Sequence, residues 1–249
     1  MPGQGNQLNA YALILAIGAV LGLLRVSRQR SGQWLDAALL VLLATLLGAR
    51  AGFVLERYAY FSTQPAEILS FQAGGLSGNG AVLGWLAGLG LAAALHRVPL
   101  LRLADWLYPM IPAMGIAVYL ACWQAGAAYG QLTPAGFWGV PSPDESGQIA
   151  LRWPVQVLAA TALLIFYWLM ELRVPLPRPS GWLSSLAATW LIAIDLVVSL
   201  LRADPAPRLE GLGLRLDTLG DVFLLILFLG MFTVLHFMAR KNLKVVSTL

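Results

Sequence analysis

Thiol, imidazole and charge are all scarce in this chain. Its 249 residues hold one cysteine and two histidines, and only 11% of them are charged, less than half of the ~25% usual for soluble domains. A lone cysteine, Cys122, excludes an intramolecular disulfide and metal ligation by thiolates; in the middle of an apolar run it reads as inert packing. No metal or other cofactor is expected. Basic residues are also missing ahead of the first apolar run, from Met1 to Ala10, and no small-residue cleavage pattern follows it. A retained first span is expected rather than a cleaved signal.

What the chain has is apolar length. Hydrophobic residues make up 59% of it, in near-continuous runs of the roughly 20 residues that cross a bilayer. Seven runs qualify, at about 8–24, 35–55, 80–95, 108–128, 154–172, 182–201 and 219–239. They and their connections use up the sequence. The expected fold class is all-α: a polytopic membrane protein of seven transmembrane helices forming a single domain over 1–249.

Basic residues alternate between the connections. Those after spans one, three, five and seven hold ten (Arg25, Arg28, Arg30, Arg97, Arg102, Arg173, Arg178, Arg240, Lys241, Lys244) against three acidic residues. The opposite set holds five basic and seven acidic. By the positive-inside rule the N-terminus lies outside and the C-terminus in the cytoplasm. The net charge of +4 then reflects topology and anionic headgroups, and no nucleic-acid partner is implied.

The segment Phe71–Gly84 crowds four glycines, a serine and an asparagine into Gly74–Gly80 just ahead of span three. Read from the residues alone, it is either a flexible loop or a glycine-rich turn feeding a helix start, where free N–H groups suit an anion. Topology puts it at the outer face. Two charges lie inside spans, where charge is expensive and faces the bundle interior: Arg50 in span two and Asp195 in span six, both in the outer half. They are expected either to neutralise each other or to leave Arg50 for a lipid phosphate. Asp221 is a third candidate, nearer the interface. His96 and His236 fall at cytoplasmic ends, and the seventeen residues from Asn79 to His96 span roughly 25 Å of helix. Both histidines are expected to be solvated end residues. Residues 131–152 read as a polar external loop.

Several segments, in order, resemble the prolipoprotein diacylglyceryl transferase family: Gly48-Ala49-Arg50-Ala51-Gly52, then Gly74 to Gly84, Asp105-Trp106-Leu107-Tyr108-Pro109, Ala121 to Gly130, Leu201-Arg202-Ala203-Asp204-Pro205 and Leu219-Gly220-Asp221. The resemblance covers about 35–240. It implies a bacterial cytoplasmic (inner) membrane enzyme that moves diacylglyceryl from phosphatidylglycerol to a lipobox cysteine. It further implies a phospholipid partner and a lipoprotein or membrane-protein partner. Carried over by position, Arg50, Gly74, Gly75, Ser77, Asn79, Gly80, Gly130, Gln156 and Arg202 form the expected lipid- and phosphate-binding set. The expected catalytic positions are Asn79, Tyr119 and Asp195, each a departure: the family has histidine, arginine and arginine there. Ser199 replaces a glutamate and Asp221 a glutamine.

These departures bear on chemistry. An imidazole titrating near pH ~6.5 can exchange a proton at neutral pH, and the amide of Asn79 cannot. Loss of a positioned base costs about 10²–10⁴ in rate. Arginine forks match phosphate oxygens, whereas Tyr119 is neutral and Asp195 repels them. The expectation is a diverged, non-catalytic member that binds a phospholipid or a partner membrane protein. The alternatives are an active transferase with a rearranged site, or an unrelated seven-span channel or transporter.

Overall fold

The structure, a computed structural model, describes residues 4–30, 34–70, 75–134, 138–144, 146–173, 178–209 and 213–247. Its long helices are α1 (Gln4–Arg30), α2 (Leu35–Glu56), α4 (Gly78–His96), α6 (Met110–Gln124), α7 (Val155–Arg173), α8 (Trp182–Leu201) and α9 (Leu216–Ser247). Two short helices, α3 (Tyr58–Phe61) and α5 (Leu100–Leu107), and a 3₁₀ turn at Pro65–Leu69 lie between them. Large side chains such as Leu13, Ile17, Phe223 and Ile226 stand outward and exposed. That is how helices look when lipid, rather than water, covers the outer surface.

Among the described residues, six helices are long and apolar enough to cross a membrane, and α5 with α6 make a seventh if that pair is one span. The pair is bent by 51°. Pro109 stands at the break and has no N–H to continue the preceding turn. The expected run 108–128 is therefore shortened to α6 and preceded by an angled α5, which buries Leu103, Ala104 and Leu107.

Glycine contact sets the closest helix pair. Between α2 and α4, a Cβ on Gly48 would lie 2.6 Å from the Gly80 carbonyl oxygen, and one on Gly52 2.8 Å from Gly80 Cα. A Cβ on Gly84 would run into the Ala44 carbonyl. Small residues at four-residue spacing let backbones meet in this way inside a membrane. One apolar cluster (Val26, Ala37, Val41, Leu89, Leu103, Leu107, Met110) joins α1, α2, α4, α5 and α6. A second joins α6, α7 and α8 around Val155 and Leu163. A third joins α8 and α9 around Ile192, Leu224 and Phe228, with Val82 and Leu86 of α4 against it.

The polar segment 131–152 carries regular structure among its described residues. It contains an antiparallel hairpin, β1 (Val140–Pro143) on β2 (Ile149–Arg152), with Val140 opposite Arg152. Asp144 holds the turn by accepting from the Ser146 hydroxyl at 2.6 Å and from the N–H groups of Ser146 and Gln148, each at 2.9 Å. Two four-residue strands, the first with two prolines, have no helical period and too little alternation to announce themselves. The hairpin sits at the end of the bundle where α2, α6 and α8 finish and α4, α7 and α9 begin. At the opposite end Asp105 takes the N–H groups of Gly181 (2.6 Å) and Ser184 (2.9 Å). It thereby satisfies donors that the start of α8 leaves open.

His96 and His236 are half-buried end residues that rest against aromatic rings. His96 Nε2 lies 3.5 Å from Asp36, with its ring edge-on to Trp34. His236 rests among Trp182, Phe232 and Phe237.

Candidate functional site

The hairpin end gathers the candidate residues in three layers. The first surrounds Arg50. Its side chain is 4% exposed and donates to the carbonyls of Ile68 (2.8 Å), Glu67 (2.6 Å) and Gly75 (3.1 Å). Phe53 and Phe61 present their rings to the guanidinium at 5.7 and 5.5 Å. A buried cation is tolerable when its donors are met in this way. No ion pair joins Arg50 to Asp195 in the described residues, so the expected neutralisation is replaced by backbone carbonyls. The direction each side chain faces was not readable from the sequence. Arg50 turns toward 67–75 and Asp195 toward α6.

Gly74 lies outside the described residues. Gly75 has φ 85°, a conformation that glycine adopts at little cost. Ser77 caps α4: its hydroxyl accepts from the Gly80 N–H at 3.2 Å and donates to Glu56. Gly80 belongs to the α2–α4 seam.

The second layer lies where α4, α6, α8 and α9 converge. Tyr119, 6% exposed, donates its hydroxyl to Asp195 at 2.9 Å. The other Asp195 oxygen lies 3.4 Å from where a Cβ on Gly78 would stand. A carboxylate thus faces the first residue of α4, and a helix start favours negative charge. The acidic group in front of the glycine-rich turn is the protein's own Asp195. Asn79 donates to the Asp217 carbonyl at 2.8 Å, while its oxygen is buried without a partner. Thr218 bonds Ser199 at 3.2 Å between α9 and α8. Asp195 lies one turn before Ser199 in sequence and Asp221 one turn after Thr218. The antiparallel helices therefore bring both aspartates to a similar depth, close enough to repel electrostatically. Asp221 is 1% exposed and neither of its oxygens is hydrogen-bonded.

The third layer is ionic. Arg202 bonds Asp204 twice, at 2.8 and 2.6 Å, and reaches Asp217 at 3.5 Å. Arg215 bonds Asp217 at 2.9 Å and approaches Asp204 at 3.5 Å. Burial works against the Arg202 charge, but Asp204, Asp217 and Asp195 more than offset it and its pKa is raised. Two arginines and two aspartates neutralise one another here. Sequence reasoning singled out Arg202 and passed over Asp204, Arg215 and Asp217. A signal was present: Arg202-Ala203-Asp204 and Arg215-Leu216-Asp217 repeat one spacing at the two ends of a single connection.

Gln156 and Gly130 serve the backbone around these layers. Gln156, 1% exposed, donates to the Ala127 carbonyl at 2.9 Å, beside the positive-φ residue Ala128. Gly130 pairs with Arg202 as an isolated β-bridge, and a Cβ there would strike the Trp153 carbonyl. A separate cavity of about 460 Å³ opens near α3, lined by Arg50, Phe53, Arg57, Tyr60, Phe61 and Glu67 among others. Arg57 stacks on Phe53 at 4.9 Å and makes no ion pair among the described residues.

A family model described as prolipoprotein diacylglyceryl transferase matches residues 4–237. The phosphatidylglycerol–prolipoprotein diacylglyceryl transferase of Nitratidesulfovibrio vulgaris (strain DSM 19637 / Miyazaki F) is 28% identical over 245 residues, 92% of this chain and 89% of that protein. The protein of the same description from Cupriavidus pinatubonensis is 32% identical over 147 residues, 57% of this chain. The chain there spans about half (51%) of the relative's length. A Bordetella avium relative, 27% identical, is covered over 69% of its length. With bacterial relatives of this kind and six or seven apolar spans, the chain is a multi-pass protein of the bacterial inner membrane.

Proposed function

The chain belongs to the prolipoprotein diacylglyceryl transferase family, and we propose that it is a phospholipid-binding member without the transfer reaction. The observation that carries this reading is Asp195. Transfer from phosphatidylglycerol needs a base for the thiol and a cationic receptor for the departing phosphate. At the start of α4 this chain presents the amide of Asn79, the phenol of Tyr119 and the carboxylates of Asp195 and Asp221. A phosphate brought there meets like charge in a poorly screened interior. The arginines at this end do not compensate: Arg50 is spent on loop carbonyls and Arg202 on Asp204 and Asp217.

Lipid binding itself is supported by the cavity beside α3. Its size falls within the ~300–1,000 Å³ usual for ligand sites. It combines aromatic rings with the exposed fork of Arg57, a donor set suited to a headgroup phosphate. The hairpin end is the outer face in this reading, as the basic residues of the other end require. Prolipoproteins, the other substrate in the relatives' names, are then at most partners that are held and not modified.

The test is complementation. In cells depleted of their own transferase, this protein is expected to leave prolipoproteins unmodified, as seen by gel mobility and mass spectrometry of a reporter. Rescue of maturation at comparable expression overturns the reading in favour of an active, rearranged site.

A further inference from the structure

Among the described residues, the interior layer leaves buried acceptors unmet. Asn79 Oδ1 and both oxygens of Asp221 are buried and unpartnered, and Asp195 has only the Tyr119 hydroxyl. Neighbouring donors are largely committed elsewhere. Asn79 Nδ2 serves the Asp217 carbonyl and Thr218 serves Ser199, while the Ser199 hydroxyl bonds the Leu196 carbonyl and is a neutral donor within reach of Asp221. Buried acceptors without donors cost about 1–3 kcal/mol each, more for a charged group. Four acceptor atoms from three helices around one place therefore call for a visitor rich in N–H or O–H groups. Charge points the same way. Arg202 and Arg215 are balanced by Asp204 and Asp217; Arg202 is felt by Asp195 and Asp221 only at a distance, and among the described residues neither aspartate makes a direct ion pair.

We infer that the interior bounded by Asn79, Tyr119, Asp195 and Asp221 is a binding site for a protonated primary amine, carried by a membrane lipid headgroup or by a free small amine. An ammonium group offers three donors and one positive charge. It can bridge the two carboxylates and the Asn79 oxygen at once. A metal ion suits the place less well: among the described residues no three His, Cys, Asp or Glu side chains are grouped to hold one. Entry is possible at the rim, where Gly78 is exposed and Asp195 is half-buried. The inference rests on the lipid-binding reading above and reverses the headgroup charge that the family's substrate would lead one to expect.

The experiment uses the full chain purified in mild detergent from a membrane containing both phosphatidylethanolamine and phosphatidylglycerol. Co-purified lipid is quantified by mass spectrometry. The delipidated protein is then challenged with phosphatidylethanolamine, its N-methylated series through phosphatidylcholine, phosphatidylglycerol, and ethanolamine alone, with thermal stability as the readout. Enrichment of the ethanolamine lipid over the surrounding membrane by about tenfold is expected, the effect of one charge-assisted hydrogen bond. Stabilisation should decline with each added methyl group, and Asp221→Asn should abolish both effects. A response to ethanolamine alone identifies a free amine as sufficient; a response to the lipid only identifies the headgroup in its membrane setting. Equal stabilisation by phosphatidylcholine and phosphatidylethanolamine, or preference for phosphatidylglycerol, overturns the inference while leaving lipid binding intact. The methylation series uses the wild-type chain and decides the matter even if Asp221→Asn fails to fold. Absence of any bound lipid, by contrast, would bring down the lipid-binding reading itself.

Discussion

Two polar regions lie a few residues apart on α4 and are built on opposite terms. Around Arg50 and Ser77, hydrogen bonds meet the charge and the cap: Arg50 serves three carbonyls and Ser77 closes the helix start. Around Asn79 and Asp221, acceptors outnumber donors and stay open. The first region behaves as framework, because satisfied buried groups rigidify what they join. The second carries unmet cost, and a protein keeps such cost where something else resolves it. Residues carried over from the family by position divide along this line. Arg50, Gly80, Gly130 and Gln156 hold backbone to backbone, whereas Asn79, Tyr119 and Asp195 belong to the layer with unmet acceptors.

The sharpest way to break the contrast is to damage the framework. Gly84→Leu places a side chain into the Ala44 carbonyl; overpacking costs about 1–3 kcal/mol, and a clash with backbone belongs at the upper end. The variant is expected to be lost from the detergent-soluble folded fraction in size-exclusion chromatography. Survival with wild-type stability would show that the α2–α4 seam can part. Next comes a paired comparison. Arg50→Ala strips three carbonyls of their donor and should cost about 3 kcal/mol. Asp195→Asn keeps an oxygen for the Tyr119 hydroxyl and should change stability by less than about 1 kcal/mol. Equal losses in thermal unfolding would mean that the two charges support each other after all.

The smallest effect concerns the hairpin. The Ser146 hydroxyl first, then the Gln148 and Ser146 N–H groups and Arg152, hold the Asp144 carboxyl below its ordinary value against a small opposing effect of burial. A depressed carboxylate contributes order that is fully present above the unfolded value of about 3.9 and is lost as pH falls through the lower folded value. Amide exchange at Ser146 and Gln148 should therefore accelerate only in acid. Asp144→Asn should remove that pH dependence without affecting α4 or α8.

The spans were legible because apolar length is a one-dimensional signal. The break at Pro109 was half legible: the prolines were visible, but a 51° turn needs α5 to have somewhere to pack. Asp195 and Tyr119 were each recognisable as departures. That they are bonded to each other depends on how α6 faces α8, which neither span's composition encodes. Gly80 shows the reverse error of emphasis. Its place in a glycine-rich turn suggested an anion, and its contact is Gly48 and Gly52 of the neighbouring helix.

The stitch between the ends of α6 and α8 has a consequence for heredity. Gln131 N–H reaches the Leu201 carbonyl at 3.0 Å and Ala203 N–H reaches the Tyr129 carbonyl at 2.9 Å. Bonds between main chains do not depend on which side chains the gene specifies, so long as proline stays away from the donors. Mutation can then rewrite the residues inside the bundle while the frame around them is inherited unaltered.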